Sequence, residues 1–192
     1  MKRLLKVDTA RDINWSRLVE TLDHFRTNRD FEQIEVPWLV SLDAIRMTHN
    51  GPAEPTLQNL YVVGSAEQSF LELDLHGMIH PGKYVSLTPC FRDEPVLSKF
   101  TNLHFMKVEL YQTVDVEIGN LQYLVNACSL WFEHLAKGTD SEIKIVQTYE
   151  GYDINLNGIE VGSYGMRTVN GHSWIYGTAL AEPRFSVALN HK

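Results

Sequence analysis

The stretch FRDEPVLSKFTNLHFMKVELYQT, residues 91–113, carries charged side chains in a segment that otherwise has the pattern of two β-strands. The charges of interest are Arg92, Glu94 and Glu109. A hydrophobic core does not require them, because ionised side chains are costly to bury. The segment therefore predicts a sheet surface that binds a charged ligand.

Strand alternation sorts these residues by face. One face of the second strand carries Phe105, Lys107 and Glu109, and the opposite face carries His104, Met106 and Val108. Arg92 and Glu94 share a face of the first strand. We expect the two charged faces to coincide, although the long 95–101 connection leaves the pairing of the strands open.

A second candidate site is the hairpin YDINLNGIEVG, residues 152–162. Asn157-Gly158 predicts a two-residue type I′ turn, which sets the register of both strands. The predicted pairs are Leu156 with Ile159, Asn155 with Glu160, Ile154 with Val161, and Asp153 with Gly162. The apolar residues then share one face, while Asp153, Asn155 and Glu160 share the other.

Two carboxylates this close repel each other, and a cation between them relieves the repulsion. Oxygen ligands from Asp153 and Glu160 suit Mg²⁺, which takes one or two protein carboxylates together with phosphate oxygens. The alternative is an ordinary hairpin whose polar side chains face solvent. Spacing alone does not separate the two interpretations.

The composition is that of an ordinary globular domain: 192 residues, 44% hydrophobic and 21% charged. A single domain over 1–192 is expected. The two cysteines have no metal-binding spacing, and no apolar run is long enough to span a bilayer. These features predict a cytoplasmic protein with no membrane partner. The net charge of −7 argues mildly against a large nucleic-acid surface.

Helical periodicity predicts two long amphipathic helices, over about 14–28 and 117–136. The apolar stripe of the first contains Trp15, Leu18, Val19, Leu22 and Phe25, with Asp12 or Asn14 as its cap. The stripe of the second contains Leu121, Leu124, Val125, Cys128, Trp131, Phe132 and Leu135, with Gly138 as a stop. Ser65 and Gln68 match a capping box at the start of another helix.

The remaining segments have strand character, namely 31–36, 83–94, 102–114 and most of 143–180. The chain then ends in a short helix with Pro183 at its first position. The region 47–59 is a loop rich in Pro, Asn and Gly. Together these elements predict an α+β fold, an antiparallel β-sheet flanked by helices.

Several segments, in order, resemble the catalytic core of class II aminoacyl-tRNA synthetases. LVETLDHFRTNRDFEQIEVPWLV (18–40) is similar to motif 1, FRDE (91–94) with FTNLHFMKVELYQT (100–113) to motif 2, and YGTALAEPRFSVAL (176–189) to motif 3. GYDINLNGIEVGSYGMR (151–167) resembles a segment of the aspartyl, asparaginyl and lysyl subgroup. Ammonia-dependent asparagine synthetase shares this core.

The resemblance implies roles in ATP binding. Arg92 would hold the α-phosphate, Glu94 the adenine amino group and Phe105 the adenine ring. Arg184 would hold the γ-phosphate, and Lys99 stands where a second phosphate-binding Arg is common. Asp153 and Glu160 match the acids that bind Mg²⁺ in this subgroup. Motif 3 departs from the family, because TALAEPR has bulkier residues where glycines are usual.

The resemblance also implies an amino-acid site. Ser65, Glu67 and Gln68 lie where the family grips the α-amino group, although the same residues suit an ordinary capped helix start. Arg167 stands where aspartyl-type enzymes read the substrate side chain. The expected substrate is therefore aspartate or asparagine.

Two functions remain open at this stage. The first is an ATP-dependent ligase that forms an aminoacyl-adenylate and transfers the amino acid to tRNA, a carrier protein or ammonia. No segment is left for an anticodon-binding domain, and with the acidic charge this argues against a self-sufficient tRNA synthetase. The second is a catalytically reduced binding or regulatory module. Motif 1 implies a homodimer through residues 14–40.

Overall fold

The structure is a computed structural model that describes residues 13–49, 56–92, 96 and 98–191. Its strands are β1 (Glu32–Gln33), β2 (Leu39–Val40), β3 (Tyr61–Val62), β4 (Lys83–Phe91), β5 (His104–Gln112), β6 (Ile143–Gln147), β7 (Gly151–Leu156), β8 (Ile159–Val169) and β9 (His172–Glu182). Its helices are α1 (Trp15–Asn28), α2 (Leu42–Arg46), α3 (Ala66–Leu75), α4 (Ile118–Leu135) and α5 (Arg184–Leu189).

Most of these strands form one sheet, in the order β1-β4-β5-β9-β8-β7-β6. β1 pairs with β4 in parallel, and the other neighbours in this sheet are antiparallel. β2 and β3 form a separate small sheet. The predicted α+β architecture, an antiparallel sheet flanked by helices, is confirmed.

The two faces of the sheet are covered differently. On one face α1, α4 and α5 bury a continuous apolar cluster that includes Leu18, Phe25, Phe132, Phe185, Val108, Leu110, Ile154 and Leu180. On the other face α2 and α3 cover one end, where Phe70 stacks on Tyr111 with ring centroids 5.1 Å apart. The other end of this second face carries the candidate site.

The first helix forms where its periodicity predicts. The Asn14 side chain accepts a hydrogen bond from the Arg17 backbone N–H at 3.0 Å and caps the helix. Leu18 is fully buried, but Trp15 and Val19 are 50% and 55% exposed. The predicted stripe was wrong for these two residues, because they lie one turn apart on its flank, away from the sheet.

The second long helix agrees with its predicted stripe. The positions from Leu121 to Phe132 in that stripe are buried, and Leu135 packs at the edge of the same cluster. The helix ends at Leu135, and the following turn contains Gly138 at a φ of +87°. That left-handed conformation favours glycine.

The shorter elements were predicted less well. The strand expected over 31–36 pairs only at β1, and α2 was not predicted. Pro183 precedes the last helix instead of occupying its first position, which Arg184 takes. Short elements carry too few residues for periodicity to define, so their ends depend on tertiary contacts. None of the helices in the described ranges combines the length and apolar character that crossing a membrane requires.

Candidate functional site

Arg92 and Phe105 meet at the end of the sheet that α2 and α3 do not cover. The guanidinium carbon of Arg92 lies 5.1 Å from the centroid of the Phe105 ring, within cation–π range. Arg92 Nε donates to the carbonyl of Gly64 at 3.3 Å, so the side chain also contacts the segment before α3. The predicted coincidence of the two faces is confirmed for Arg92 and Phe105. Glu94 lies outside the described residues.

These two residues line a cleft that residues of β8, β9 and α5 complete. Its polar and aromatic lining includes Arg92, Phe105, Lys107, Glu160, Thr178 and Arg184. Three cations therefore line one cleft of a protein whose net charge is negative. This concentration of positive charge suits an anionic ligand.

Arg184 reaches the cleft from the first turn of α5. Its Nε and Nη2 donate to the carbonyl of Phe100 at 3.2 and 3.1 Å. Its Nη1 lies 3.5 Å from Glu160 Oε1 on β8. The guanidinium thus joins the β4–β5 connection to the hairpin that carries the predicted metal ligands.

Lys107 is a site residue that the sequence interpretation did not select. Its ammonium nitrogen lies 2.8 Å from Glu109 Oε1 and 3.5 Å from Ser65 Oγ, and the residue is 9% exposed. Ser65 Oγ lies 2.8 Å from each carboxylate oxygen of Glu109. Strand alternation had placed Lys107 on the correct face, but only the packing of α3 against β5 reveals its burial.

The 157–158 hairpin has the predicted turn and part of the predicted register. Asn157 and Gly158 have φ values of +51° and +80°, as a type I′ turn requires. Leu156 faces Ile159 and Asn155 faces Glu160.

Beyond these pairs the predicted register was wrong. A β-bulge shifts it, so that Ile154 faces Gly162 and Asp153 faces Ser163. Tyr164 accounts for the requirement at Gly162, because a Cβ there would lie 2.5 Å from the Tyr164 hydroxyl oxygen.

The predicted metal ligands stand on the polar side of this hairpin. Glu160 lines the cleft and lies beside Arg184, whereas Asp153 is partly buried one strand away. Within the described ranges, no three His, Cys, Asp or Glu side chains gather as a metal-binding group. A site made of protein groups alone is therefore not formed there. The oxygen donors of Asp153 and Glu160 still fit Mg²⁺ if phosphate oxygens complete its coordination.

The start of α3 engages Ser65 and Gln68 in the fold itself. Ser65 caps the helix, accepting from the Glu67 N–H at 3.4 Å. Gln68 Oε1 accepts a hydrogen bond from the Gly64 N–H at 2.8 Å. The predicted capping box would use the N–H of the next residue, Ser65. Gln68 Nε2 donates to Thr48 Oγ1 at 2.9 Å.

Glu67 and Arg167 are brought together, although 100 residues of sequence separate them. Glu67 Oε1 accepts a hydrogen bond from Trp174 Nε1 at 2.7 Å and lies 3.6 Å from Arg167 Nε. Burial raises the pKa of the Glu67 carboxyl to about 7, although the Arg167 guanidinium favours its ionised form. Arg167 also lies 4.7 Å from the centroid of the Tyr176 ring.

Lys99 lies at the edge of the site and does not line the cleft. Its ammonium nitrogen is 4.8 Å from the centroid of the Phe100 ring and 3.5 Å from His191 Nδ1. Lys99 therefore contacts the C-terminal residues, and its proposed phosphate contact is untested.

The buried cysteines offer no nucleophile. Burial raises the pKa of Cys90 and of Cys128 to about 12, so both remain thiols at neutral pH.

The chain matches no protein-family model and no curated protein. Solved structures do resemble it. A pyrrolysyl tRNA synthetase from Desulfitobacterium hafniense has a TM-score of 0.67 at 13% identity, covering 97% of this chain and 71% of that chain. Seryl-tRNA synthetase from Pyrococcus horikoshii, complexed with ATP, has a TM-score of 0.68 at 17% identity, covering 90% of this chain and 49% of that chain.

The chain thus has the fold of a class II aminoacyl-tRNA synthetase core and spans about half of the seryl enzyme. Identities this low establish the fold alone. Both named structures lie outside the aspartyl, asparaginyl and lysyl subgroup, and that finer assignment stays a prediction.

Proposed function

We propose that the protein uses ATP to activate an amino acid, forming an aminoacyl-adenylate and pyrophosphate. One observation carries the proposal: Arg92, Lys107 and Arg184 line a single cleft beside the Phe105 ring, on a fold of the class II synthetase type. An aromatic face and several cations are the groups that a nucleoside triphosphate requires.

This arrangement supports a mode of ATP binding. In it the adenine stacks on Phe105, whose ring also faces Arg92. Glu94, outside the described residues, is proposed to contact the adenine edge. Arg92 binds the α-phosphate, because a guanidinium fork engages two phosphate oxygens at once. Arg184 binds the γ-phosphate by exchanging its bonds with the Phe100 carbonyl for bonds to phosphate oxygens.

Mg²⁺ is the implied cofactor, with Asp153 and Glu160 as its protein ligands. The ion would neutralise charge on the phosphates during the reaction. Glu160 lies beside Arg184, so one carboxylate would both bind the metal and orient a phosphate-binding side chain.

In the reaction a carboxylate oxygen of the amino acid attacks the α-phosphorus. The new oxygen–phosphorus bond forms as the bond to the bridging oxygen of the β-phosphate breaks, and pyrophosphate leaves with the electron pair. No covalent enzyme intermediate is required. Arg92 stabilises the charge that develops on the α-phosphate oxygens.

The proposed amino acid is aspartate or asparagine, with Arg167 contacting its side chain. Ser65, Glu67 and Gln68 are the proposed contacts of its α-amino group. Glu67 Oε1 lies 3.6 Å from Arg167 Nε, so the residues proposed for the two ends of the amino acid are neighbours.

The acceptor in the second step is tRNA, a carrier protein or ammonia, the last giving an amide-forming ligase like asparagine synthetase. A cytoplasmic setting remains part of the proposal.

We also propose a homodimer through residues 14–40. Three apolar side chains in this segment support the dimer, because each is at least half-exposed and could be buried against a second copy. They are Trp15, Val19 and Trp38, at 50%, 55% and 57% exposure.

The decisive experiment is amino-acid-dependent ATP–pyrophosphate exchange with Mg²⁺, run separately with the twenty amino acids. We expect exchange with asparagine or aspartate, and loss of it in Arg92→Ala with the fold intact. Exchange with none of the twenty would refute the enzyme, and exchange with lysine alone would refute the role of Arg167.

A binding or regulatory module that retains the fold without catalysis is the second candidate. The observation that favours it is the engagement of Arg184 by the Phe100 carbonyl and Glu160. This candidate predicts ATP binding without exchange, so the same experiment, combined with calorimetric titration of ATP, separates the two.

A further inference from the structure

We propose that Lys107 is a catalytic residue of this cleft, whose ammonium group contacts the attacking carboxylate and the α-phosphate. This inference rests on the proposed function. Lys107 lines the cleft, is 9% exposed, and belongs to the face of β5 that also carries Phe105. Alternate residues of a strand lie about 7 Å apart. If the adenine stacks on Phe105, Lys107 therefore lies at roughly the distance of the phosphates.

The opposite side of Lys107 faces the proposed amino-acid end of the site. Ser65, which lies 3.5 Å from the ammonium nitrogen, caps the helix whose first turn carries Glu67. Lys107 therefore stands between the residues proposed for ATP and those proposed for the amino acid. The carboxylate and the α-phosphate must meet at this junction, and both are anionic.

The ammonium group has capacity for such a contact. It has three N–H donors, and among the described residues it contacts Glu109 and Ser65. One donor is therefore left for a ligand. Burying a Lys–Glu pair contributes little to stability compared with apolar residues, so packing alone does not explain it. Glu109 holds the ammonium in place through a 2.8 Å contact.

No proton transfer is needed in this role. The carboxylate oxygen supplies the electron pair of the new bond to phosphorus, and pyrophosphate leaves with the pair of the broken bond. Lys107 neither gives nor takes a proton in this step. A fixed positive charge stabilises the transition state because negative charge builds up on the α-phosphate oxygens.

The test must separate catalysis from a structural ion pair. Lys107→Met leaves Glu109 buried without its partner, so the informative variant is Lys107→Met combined with Glu109→Gln, which removes both charges. The matched control is Lys144→Met with Glu142→Gln, because that pair is also 2.8 Å apart but exposed at the surface. The measurement is ATP–pyrophosphate exchange with the amino acid that supports it in the unaltered protein.

We expect the Lys107 double variant to lose at least about 100-fold in kcat, with the KM for ATP within about threefold, and the control to be unchanged. Lys107→Arg, which keeps the charge, should recover most of the loss and serves if the double variant does not fold. Exchange at the normal rate in the double variant, or no recovery in Lys107→Arg when it folds, would overturn the role of Lys107 while leaving the proposed function intact. No exchange by the unaltered protein overturns the proposed function itself.

Discussion

Arg17 on the first helix and Glu182 at the end of the last strand form an ion pair, with 2.7 Å between Nη1 and Oε1. Glu182 is fully buried, and Ser186 donates to the same carboxylate from its hydroxyl at 3.0 Å. The pair links α1, which lies in the segment proposed for dimerisation, to Glu182, two residues before Arg184. Neither side chain lines the cleft.

Arg17→Met should destabilise the protein by about 3 kcal/mol, because it leaves the Glu182 carboxylate buried without its charged partner. Urea denaturation monitored by circular dichroism measures this. The control is Arg26→Met on the same helix, whose 2.7 Å pair with Asp23 is exposed and should contribute less than about 1 kcal/mol. Equal effects of the two substitutions would contradict the prediction.

Glu67 should make stability depend on pH. Burial raises its pKa from 4.5 to about 7, so the folded protein binds this proton more tightly than the unfolded chain. The stability associated with the bound proton is complete below pH 4.5 and is lost as the pH rises through about 7. The loss is on the order of 3 kcal/mol.

Glu67→Gln removes that titration. Its free energy of unfolding should therefore rise relative to the unaltered protein between pH 4.5 and pH 8, as measured by urea denaturation at several pH values. Glu142→Gln, which alters an exposed carboxyl, should show no such trend. A constant difference between Glu67→Gln and the unaltered protein across this range would refute the assignment.

Phe105→Leu should weaken ATP binding by about tenfold, since stacking of a base on an aromatic ring contributes about 1–3 kcal/mol. Isothermal titration calorimetry with ATP gives the dissociation constant. Tyr123→Leu is the matched control, because Arg29 lies over that ring at 6.0 Å outside the cleft. ATP affinity that is unchanged in Phe105→Leu would exclude the proposed stacking.

The proposed homodimer predicts a sedimentation coefficient of a dimer at micromolar concentration. Trp15→Glu should convert it to a monomer, because a charge would then be buried in an apolar interface. Tyr149→Glu changes a fully exposed aromatic residue outside 14–40 and should leave the dimer intact. A monomeric unaltered protein would remove the basis for the proposal.

The sequence predicted those features that depend on nearby residues. The Asn157-Gly158 turn and the faces of β5 follow from turn chemistry and strand alternation, and both are found. The β-bulge between the Asn155–Glu160 and Ile154–Gly162 pairs was missed because alternation assumes an unbroken ladder, and no local pattern marks where an extra residue enters. Tyr164 occupies the space beside Gly162, and its hydroxyl donates to the Thr178 carbonyl on β9 at 2.6 Å.

The predicted site was incomplete for a related reason. Glu67 and Arg167 were both named, but their contact depends on how α3 packs on the sheet, and no local pattern encodes that. The burial of Lys107 likewise arises from α3. In a sequence, such a residue can be recognised as a charge that lies between an aromatic residue and an acid on the same face of a strand. Lys107 lies between Phe105 and Glu109 in this way.

The two hydrogen bonds from Arg184 to the Phe100 carbonyl have a thermodynamic consequence. An anion that takes the Arg184 guanidinium must displace that carbonyl, so anion affinity and the position of the 98–101 segment are linked equilibria. Linkage is reciprocal, and any change that strengthens the contact between this segment and α5 weakens anion binding by the same free energy. The affinity of the cleft can therefore be altered by substitutions at His191, which contacts Lys99 and Phe100 of this segment.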